Sequence, residues 1–414
     1  MEIGKTAGLA AGVFAVCSAF AGEVTVSGST GTEIQAAIDA VARDGGGRVV
    51  VPSGRYSVGS LRLRSKVELN LAEGAVLQGS VRSEDYFSFP EEVCAIRPED
   101  SGRVFIYAWD AQDVAITGKG VVDCQGPAFF DQTKFAYGGD FFWAKPSCER
   151  PRMVQLVRCR GVRLEGVTFR DSPGWTMLIR LCEDVSVEGV QVLANQHMIN
   201  SDGIDFDGCR RVRVSRSRFR TGDDCIIARA MREPGGDGRV VCEDIEVTDC
   251  DLDSACQCIR MGCPSDDTIR NVVFRNVRCR GNNGIYFNFP ARYLRPDDEG
   301  YMDIRNCLFE NVTGELAGSA IQIDVDPGVR LRAVRDITFR NVNVKSRRPL
   351  RFVGNVHTRF VNVVFDGVTV NGERQKDGEV EGTYTESGPL RRAKASWEAT
   401  RQHSTKGLNG NARK

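Results

Sequence analysis

One local pattern recurs along most of this chain and limits what it can fold into. It is an apolar-x-apolar triplet, in several copies followed by a Gly-Val or Asn-Val step and one more apolar side chain. The triplets are Val114-Ala115-Ile116, Val162-Arg163-Leu164, Val185-Ser186-Val187, Val212-Arg213-Val214, Ile245-Glu246-Val247, Val272-Val273-Phe274, Ile337-Thr338-Phe339 and Val361-Asn362-Val363. The steps read EGVTF, EGVQV, RNVRC, RNVNV and DGVTV. Alternation of apolar and polar residues over so few positions is the signature of a short strand with one buried face. Spacings of roughly 22 to 33 residues with a steady local motif describe coils stacked on coils, with connecting loops of different length. A sandwich or propeller of short strands is the competing arrangement, but the variable intervals fit it less well. The 44 glycines suit a turn-rich β architecture.

Cysteine spacing points the same way. Cys159, Cys182, Cys209 and Cys242 each stand three residues before a Val or Ile, in CRGV, CEDV, CRRV and CEDI. That repetition predicts one position of the coil, occupied again and again by Cys acting as a small hydrophobe. Cys256 and Cys258 are too close for an ordinary disulfide along a strand. No C-x-x-C pair or His partner supports zinc, and no metal or other cofactor is expected.

Ahead of the repeats, residues 31–41 have helical period. Thr32 is the expected N-cap and Gly45–Gly47 the stop. Such a helix would cover the open end of the solenoid, where strand edges would otherwise be bare. Short strands then follow at 48–51, 54–58, 61–63 and 67–71.

The chemistry is concentrated in residues 200–228, NSDGIDFDGCRRVRVSRSRFRTGDDCIIA. Two acidic clusters, Asp202/Asp205/Asp207 and Asp223/Asp224, flank one strand, and Gly203, Gly208 and Gly222 mark the turns. Asp202 and Asp223 are 21 residues apart, about one circuit. Neighbouring rungs of a parallel sheet lie about 4.8 Å apart. Carboxyls one rung apart, with some offset, would fall within the roughly 5 to 9 Å used for glycosidic bond hydrolysis. Asp205 and Asp207 read equally well as turn residues bonding their own backbone. Asp223-Asp224 run straight into the apolar segment Cys225-Ile226-Ile227-Ala228, and like charges held at a buried edge are costly unless one keeps its proton.

NSDGID followed by TGDDCI resembles the family 28 glycoside hydrolases, the polygalacturonase and rhamnogalacturonase group. The resemblance extends from about Thr25 to Gly372. It implies a single-stranded right-handed parallel β-helix, a pectin-lyase-like solenoid, here with its N-terminal capping helix. It further implies Asp223 as general acid, Asp202 and Asp224 as the base pair holding the attacking water, and inversion at the anomeric centre. Asn200 belongs to the same Asn-x-Asp motif.

Two further family motifs are altered. Where the family carries Gly-His-Gly, this chain reads Cys256-Gln257-Cys258, and where it carries Arg-Ile-Lys, this chain reads Tyr286-Phe287-Asn288. Loss of both cations would leave a bound galacturonate carboxylate without charge-assisted partners, which argues against polygalacturonase activity itself. Gln257, Tyr286 and Asn288 remain candidate substrate-binding residues by position. Arg260, between Ile259 and Met261, is poorly placed for casual solvent exposure and is expected in the cleft. Arg292 and Arg295 follow the altered motif and could also meet an anion or be solvated surface charge; Arg292 is assigned to the cleft. His197 precedes the first acidic cluster and is assigned to its edge, although a lone histidine is often structural.

Between Cys124 and Met153 an aromatic insert interrupts the repeat, with Phe129, Phe130, Phe135, Tyr137, Phe141, Phe142 and Trp143. It could wall a saccharide cleft or pack on the solenoid body. Trp175 stands in the coil before the acids.

The expected organisation is a signal peptide over 1–21, one β-helix domain over 22–372 and a polar tail over 373–414. The signal reading rests on Lys5, the apolar run Ala7–Phe20 and the Ala19-Phe20-Ala21 cleavage site, and it places the protein outside the cytoplasm or in a periplasm. The formal net charge of zero gives no reason to expect nucleic acid, and no later segment is long and apolar enough to span a bilayer. The expected partner is a polysaccharide or oligosaccharide, bound by a monomer. The sequence-based reading is a hydrolase acting on a pectic or related polysaccharide. The rivals are a polysaccharide lyase or epimerase on the same scaffold, or a solenoid that binds carbohydrate without cleaving it.

Overall fold

The structure, a computed structural model, describes residues 22–91, 93–94, 102–138, 141–233, 238–263, 265–291, 294, 301–326, 329–354 and 360–379. They form a right-handed parallel β-helix of three sheets, each coil contributing one strand to each sheet. Sheet 1 takes Val162 of one coil onto Val185 of the next and continues through Val212, Ile245, Val272, Cys307, Ile337 and Val363. Two residues further along each coil, Leu164, Val187, Val214, Val247, Phe274, Phe309 and Phe339 stack in the same order. The last three end in parallel rings, 5.5 Å apart for Phe274–Phe309 and 5.3 Å for Phe309–Phe339. These are the triplets that repeat in the sequence, and every one of these side chains is buried.

The Gly-Val and Asn-Val steps turn the chain from sheet 1 into sheet 2. Gly166, Gly189, Asn276, Asn311, Asn341 and Gly367 all take positive φ there, between 50° and 75°. Glycine and asparagine tolerate this conformation best. Asparagine adds a second function, because its amide can bond the coil below. Asn276 donates to Asp249 at 2.9 Å, Asn311 to Asn276 at 2.9 Å and Asn341 to Asn311 at 3.2 Å. One triplet was misplaced by the sequence reading. Asn362 sits at a positive-φ corner, so the last copy is Val363-Val364-Phe365, and Val361 is left 47% exposed.

Cys159, Cys182, Cys209 and Cys242 occupy one buried position before sheet 1, as expected, and carry unbridged thiols. The helix α1 (Gly31–Arg43) buries Ile34, Ile38 and Val41 against the first strands. Its N-cap is Thr30, not Thr32. The Glu33 carboxylate reaches back to the Thr30 backbone N–H at 3.0 Å and also accepts from its hydroxyl.

At the other end, residues expected to belong to a tail continue the sheet. Glu373–Arg374 and Gly378–Glu379 pair antiparallel with the last coil. The expected signal segment and residues 380–414 lie outside the described residues. The aromatic insert forms a hairpin, Phe130–Gly138 with Phe141–Pro146. It packs on the solenoid: Phe129 and Phe130 are buried, and the Trp143 indole N–H donates to the Gly222 carbonyl at 2.9 Å.

Candidate active site

Sheet 3 carries the chemistry. Its strands include Met177–Arg180, Ile204–Asp207, Ile226–Arg229 and the C-terminal part of Asp251–Gly262. Asp202 lies two residues before the second of these strands, and Asp224 two residues before the third. The Gly203 N–H donates to the Asp224 carbonyl at 2.8 Å, which sets the two turns on adjacent rungs. Both turns need glycine for space. A Cβ on Gly203 would come 2.3 Å from the Cys225 carbonyl oxygen, and one on Gly222 would come 2.3 Å from that of Met198. Ser201, in the same turn as Asp202, accepts the Gly222 N–H at 3.0 Å and donates to the Met198 carbonyl at 2.7 Å.

Asp202 and Asp224 are buried, and Asp223 is half-buried beside them. One oxygen of Asp202 and one of Asp224 have no hydrogen-bond partner. Asp223 is held at both oxygens: the Asn200 N–H donates at 3.2 Å and the Asp224 N–H at 3.1 Å. Its backbone carbonyl accepts the Thr221 and Ser254 hydroxyls, each at 2.6 Å. Burial, then the neighbouring Asp224 charge, pushes the Asp223 carboxyl up to about 6, while Arg260 acts in the opposite direction. Burial, followed by the charges of Asp223, Asp205 and Asp224, holds the Asp202 carboxyl well above the usual carboxylate range. So this cluster can keep protons near neutrality on some members, which is what an acid and a base made from one residue type require.

Arg260 lies beside Asp224, on the strand that follows it by one coil. The guanidinium donates to Asp224 at 2.6 Å and to the Asn288 side-chain oxygen at 2.7 Å. Asn288 in turn donates to the Tyr286 hydroxyl at 3.0 Å, and that hydroxyl donates to Asp324 at 3.0 Å. Tyr286 and Asn288, where the resemblance would put cations, therefore extend a polar chain from Asp224 across the next coils. Gln257 is buried one coil beyond Asp224, with its backbone carbonyl accepting the Cys225 N–H at 2.9 Å.

His197 directs its side-chain hydrogen bond and ring contact to Phe142, and its backbone N–H to Asn195. It is exposed, stacks on Phe142 at 4.0 Å and lines a cavity of about 270 Å³ with Arg170, Asn195 and Arg220. Arg292 and Arg295 lie outside the described residues. Sequence reasoning missed Arg150, which donates to the Ile199 carbonyl at 2.7 Å and the Asn200 side chain at 3.0 Å. It joins the site from 50 residues away, and no local pattern marks it. It also missed Cys256, whose sulfur lies within 4.8 Å of carboxylate oxygens of both Asp223 and Asp224. These three groups are close enough to share a cation, but the Arg260 guanidinium already brings a fixed positive charge to Asp224 and works against one.

Fold and site together define a parallel β-helix with paired carboxyls clustered on adjacent rungs of one sheet. Comparison with known proteins points the same way as the motifs. Residues 47–233 match the model for glycosyl hydrolases family 28. Among curated relatives, it is 28% identical over 199 residues to a probable polygalacturonase of Vitis vinifera, covering 45% of this chain and 38% of that protein. It is 28% identical over 235 residues to an exo-poly-alpha-D-galacturonosidase of Dickeya chrysanthemi, covering 47% of this chain and 38% of that one. The chain thus spans well under two thirds of the length of these relatives. Among solved structures, an exopolygalacturonase from Thermotoga maritima superposes with a TM-score of 0.65 at 22% identity, over 87% of this chain and 94% of that one. An endo-xylogalacturonan hydrolase from Aspergillus tubingensis gives 0.64 at 16%, over 89% and 100%. At these identities the superpositions speak for the fold.

Proposed function

We propose that this chain hydrolyses O-glycosidic bonds in a pectic or related polysaccharide, with inversion. Asp223 is the general acid that protonates the leaving oxygen, and Asp202 and Asp224 hold and activate the attacking water. The observation that carries this reading is the convergence of the three carboxyls on adjacent rungs with Asp223 raised to about 6. A carboxyl in that range keeps its proton in mildly acidic solution and can give it up in the transition state. Asp224 is hydrogen-bonded to the Arg260 guanidinium at 2.6 Å. The family and the names of its relatives support a pectic substrate. The convergence also weighs against the binding-only rival, for which scattered acids would be expected. A lyase or epimerase gains no specific support from the site.

The polysaccharide is the only partner the reading needs, and the working unit is a monomer. Export, on the strength of residues 1–21, would bring the protein to such a polymer.

The test is release of reducing sugar from a panel of pectic and hemicellulosic polysaccharides by the parent chain and Asp223→Asn. Activity on one polymer that is lost in the variant is the expected result. Activity that survives the substitution places the chemistry elsewhere, and binding without cleavage across the panel favours the binding-only reading. Proton NMR of the first-formed product distinguishes inversion from retention.

A further inference from the structure

The outer face of sheet 3 is covered unevenly. Its outward positions follow one register from coil to coil. Tyr107, Gln155, Leu178, Asp205 and Ile227 are all 8% exposed or less. Beyond them the cover thins: Arg260, Tyr286 and Gln322 are half-buried and Arg351 is exposed. The acidic cluster lies at the boundary between the two regions.

Two segments make the cover. Residues 87–91 fold across the first coils, with Phe87 stacked on Tyr107 at 4.4 Å and Phe89 edge-on to Trp109 at 5.4 Å. Phe89, Tyr107, Trp175 and Leu178 form an apolar cluster of their own, outside the solenoid core. From the other side comes Met231–Glu233: the Met231 carbonyl accepts from Arg180 at 3.1 Å, and Glu233 pairs with Arg180 at 2.8 Å. Trp175 closes the gap beside the acids. The next residue, Thr176, donates its N–H to the Asp202 carbonyl at 2.9 Å. The indole ring lies 4.7 Å from the Arg152 guanidinium carbon and 4.5 Å from that of Arg229.

A polymer cut in its interior must lie across the acids with sugar units on both sides. A sugar ring is about as long as the spacing of about 4.8 Å between rungs. On the N-terminal side, the rung next to Asp202 is already occupied by Trp175, and the coils beyond it are covered by Phe89 and Glu233. We propose that the cleft is blind at this end, with Phe89, Trp175 and Glu233 as the stop, so that the protein removes units from a chain end rather than cutting chain interiors. This rests on the hydrolase reading and adds a mode of action to it.

The experiment follows product sizes and viscosity over time with the full chain on de-esterified homogalacturonan and on rhamnogalacturonan. The expected result is one short product from the first time point and a slow fall in viscosity. An early ladder of intermediate oligomers with rapid loss of viscosity overturns the proposal. If that ladder vanishes in Asp223→Asn, the hydrolase reading stands while the blind cleft falls; no hydrolysis of either polymer by the folded parent removes the support for both. Phe89→Ala opens the stop without touching the solenoid core, and intermediate oligomers should then enter the early products. An unchanged product pattern in a folded Phe89→Ala removes this segment from the stop. End-blocked chains give a measurement that needs no variant. One set has its reducing end reduced with borohydride, and the other carries an unsaturated unit at the non-reducing end. One of the two blocks should stop release, and release from both refutes action at chain ends.

Discussion

Asp223 should cost the folded chain stability at neutral pH, and replacing it should return part of that cost while abolishing hydrolysis. Its carboxyl is raised from 3.8 to about 6 by burial and by Asp224. A carboxyl that binds its proton more tightly when folded stabilises the protein below its unfolded-state pKa. That contribution is lost as pH rises through the folded value. The window is therefore pH 3.8 to about 6, and across it the loss is about 3 kcal/mol. Asp223→Asn removes this pH dependence, because the amide does not ionise. The substitution has its own cost. Asp223 accepts N–H groups at both oxygens, from Asn200 and Asp224. Asn has one acceptor oxygen, so one of these bonds is lost, at about 1 kcal/mol. The net expectation is a variant about 2 kcal/mol more stable than the parent at pH 7. Below pH 4 it should be no more stable, and slightly less so through the missing bond. Denaturant unfolding of both proteins at pH 3.5, 5 and 7 measures the difference. Equal stability at every pH, or a parent more stable at pH 7, would show that Asp223 is not raised and would remove the physical basis for its acid role. The same titration predicts the activity profile: hydrolysis should decline as pH rises through about 6, as the acid loses its proton.

Arg260→Met breaks a nearly buried ion pair with Asp224 and should destabilise the fold by about 3 to 5 kcal/mol. It should also move the alkaline limb of activity upward, since Arg260 lowers the Asp223 pKa; a limb that stays in place would exclude that coupling. Gly222→Ala puts a methyl group 2.3 Å from the Met198 carbonyl oxygen and should displace the Asp223 turn. The expected outcome is a large loss of kcat with little change in far-UV circular dichroism. Phe309→Ala removes the middle ring of a three-ring stack in the core and should cost about 3 to 5 kcal/mol in unfolding experiments.

Much of this fold is legible because a solenoid writes its geometry locally. The positive-φ corner favours Gly or Asn, although Arg216 and Asp249 hold it in two coils, and the buried ladder favours an aliphatic or aromatic residue two places apart, once per coil. The reading slipped where chemistry and position separate. Cys307-Leu308-Phe309 occupies a full triplet position but begins with Cys, so it was not recognised. Val361 fits the apolar pattern but falls outside a corner and faces solvent.

The site was legible to the same depth. Asp202, Asp223 and Asp224 stood out as two acidic clusters about one circuit apart that resemble the family's motifs, and Arg260 because it lies between two apolar neighbours. His197 has no such frame. It lies near the middle of a ten-residue loop, Ala194 to Gly203, where it stacks on Phe142 of the aromatic hairpin. Arg150 and the cover formed by residues 87–91 are beyond local reading for a related reason. Both reach sheet 3 by crossing coils, and a crossing depends on which coils happen to lie alongside. The parts of the site set by register were thus readable in advance, while those set by loops folding back over the sheet were not. Since it is the loops that cover one end of the acidic cluster, the sequence could point to the acids but not to the direction from which a chain enters.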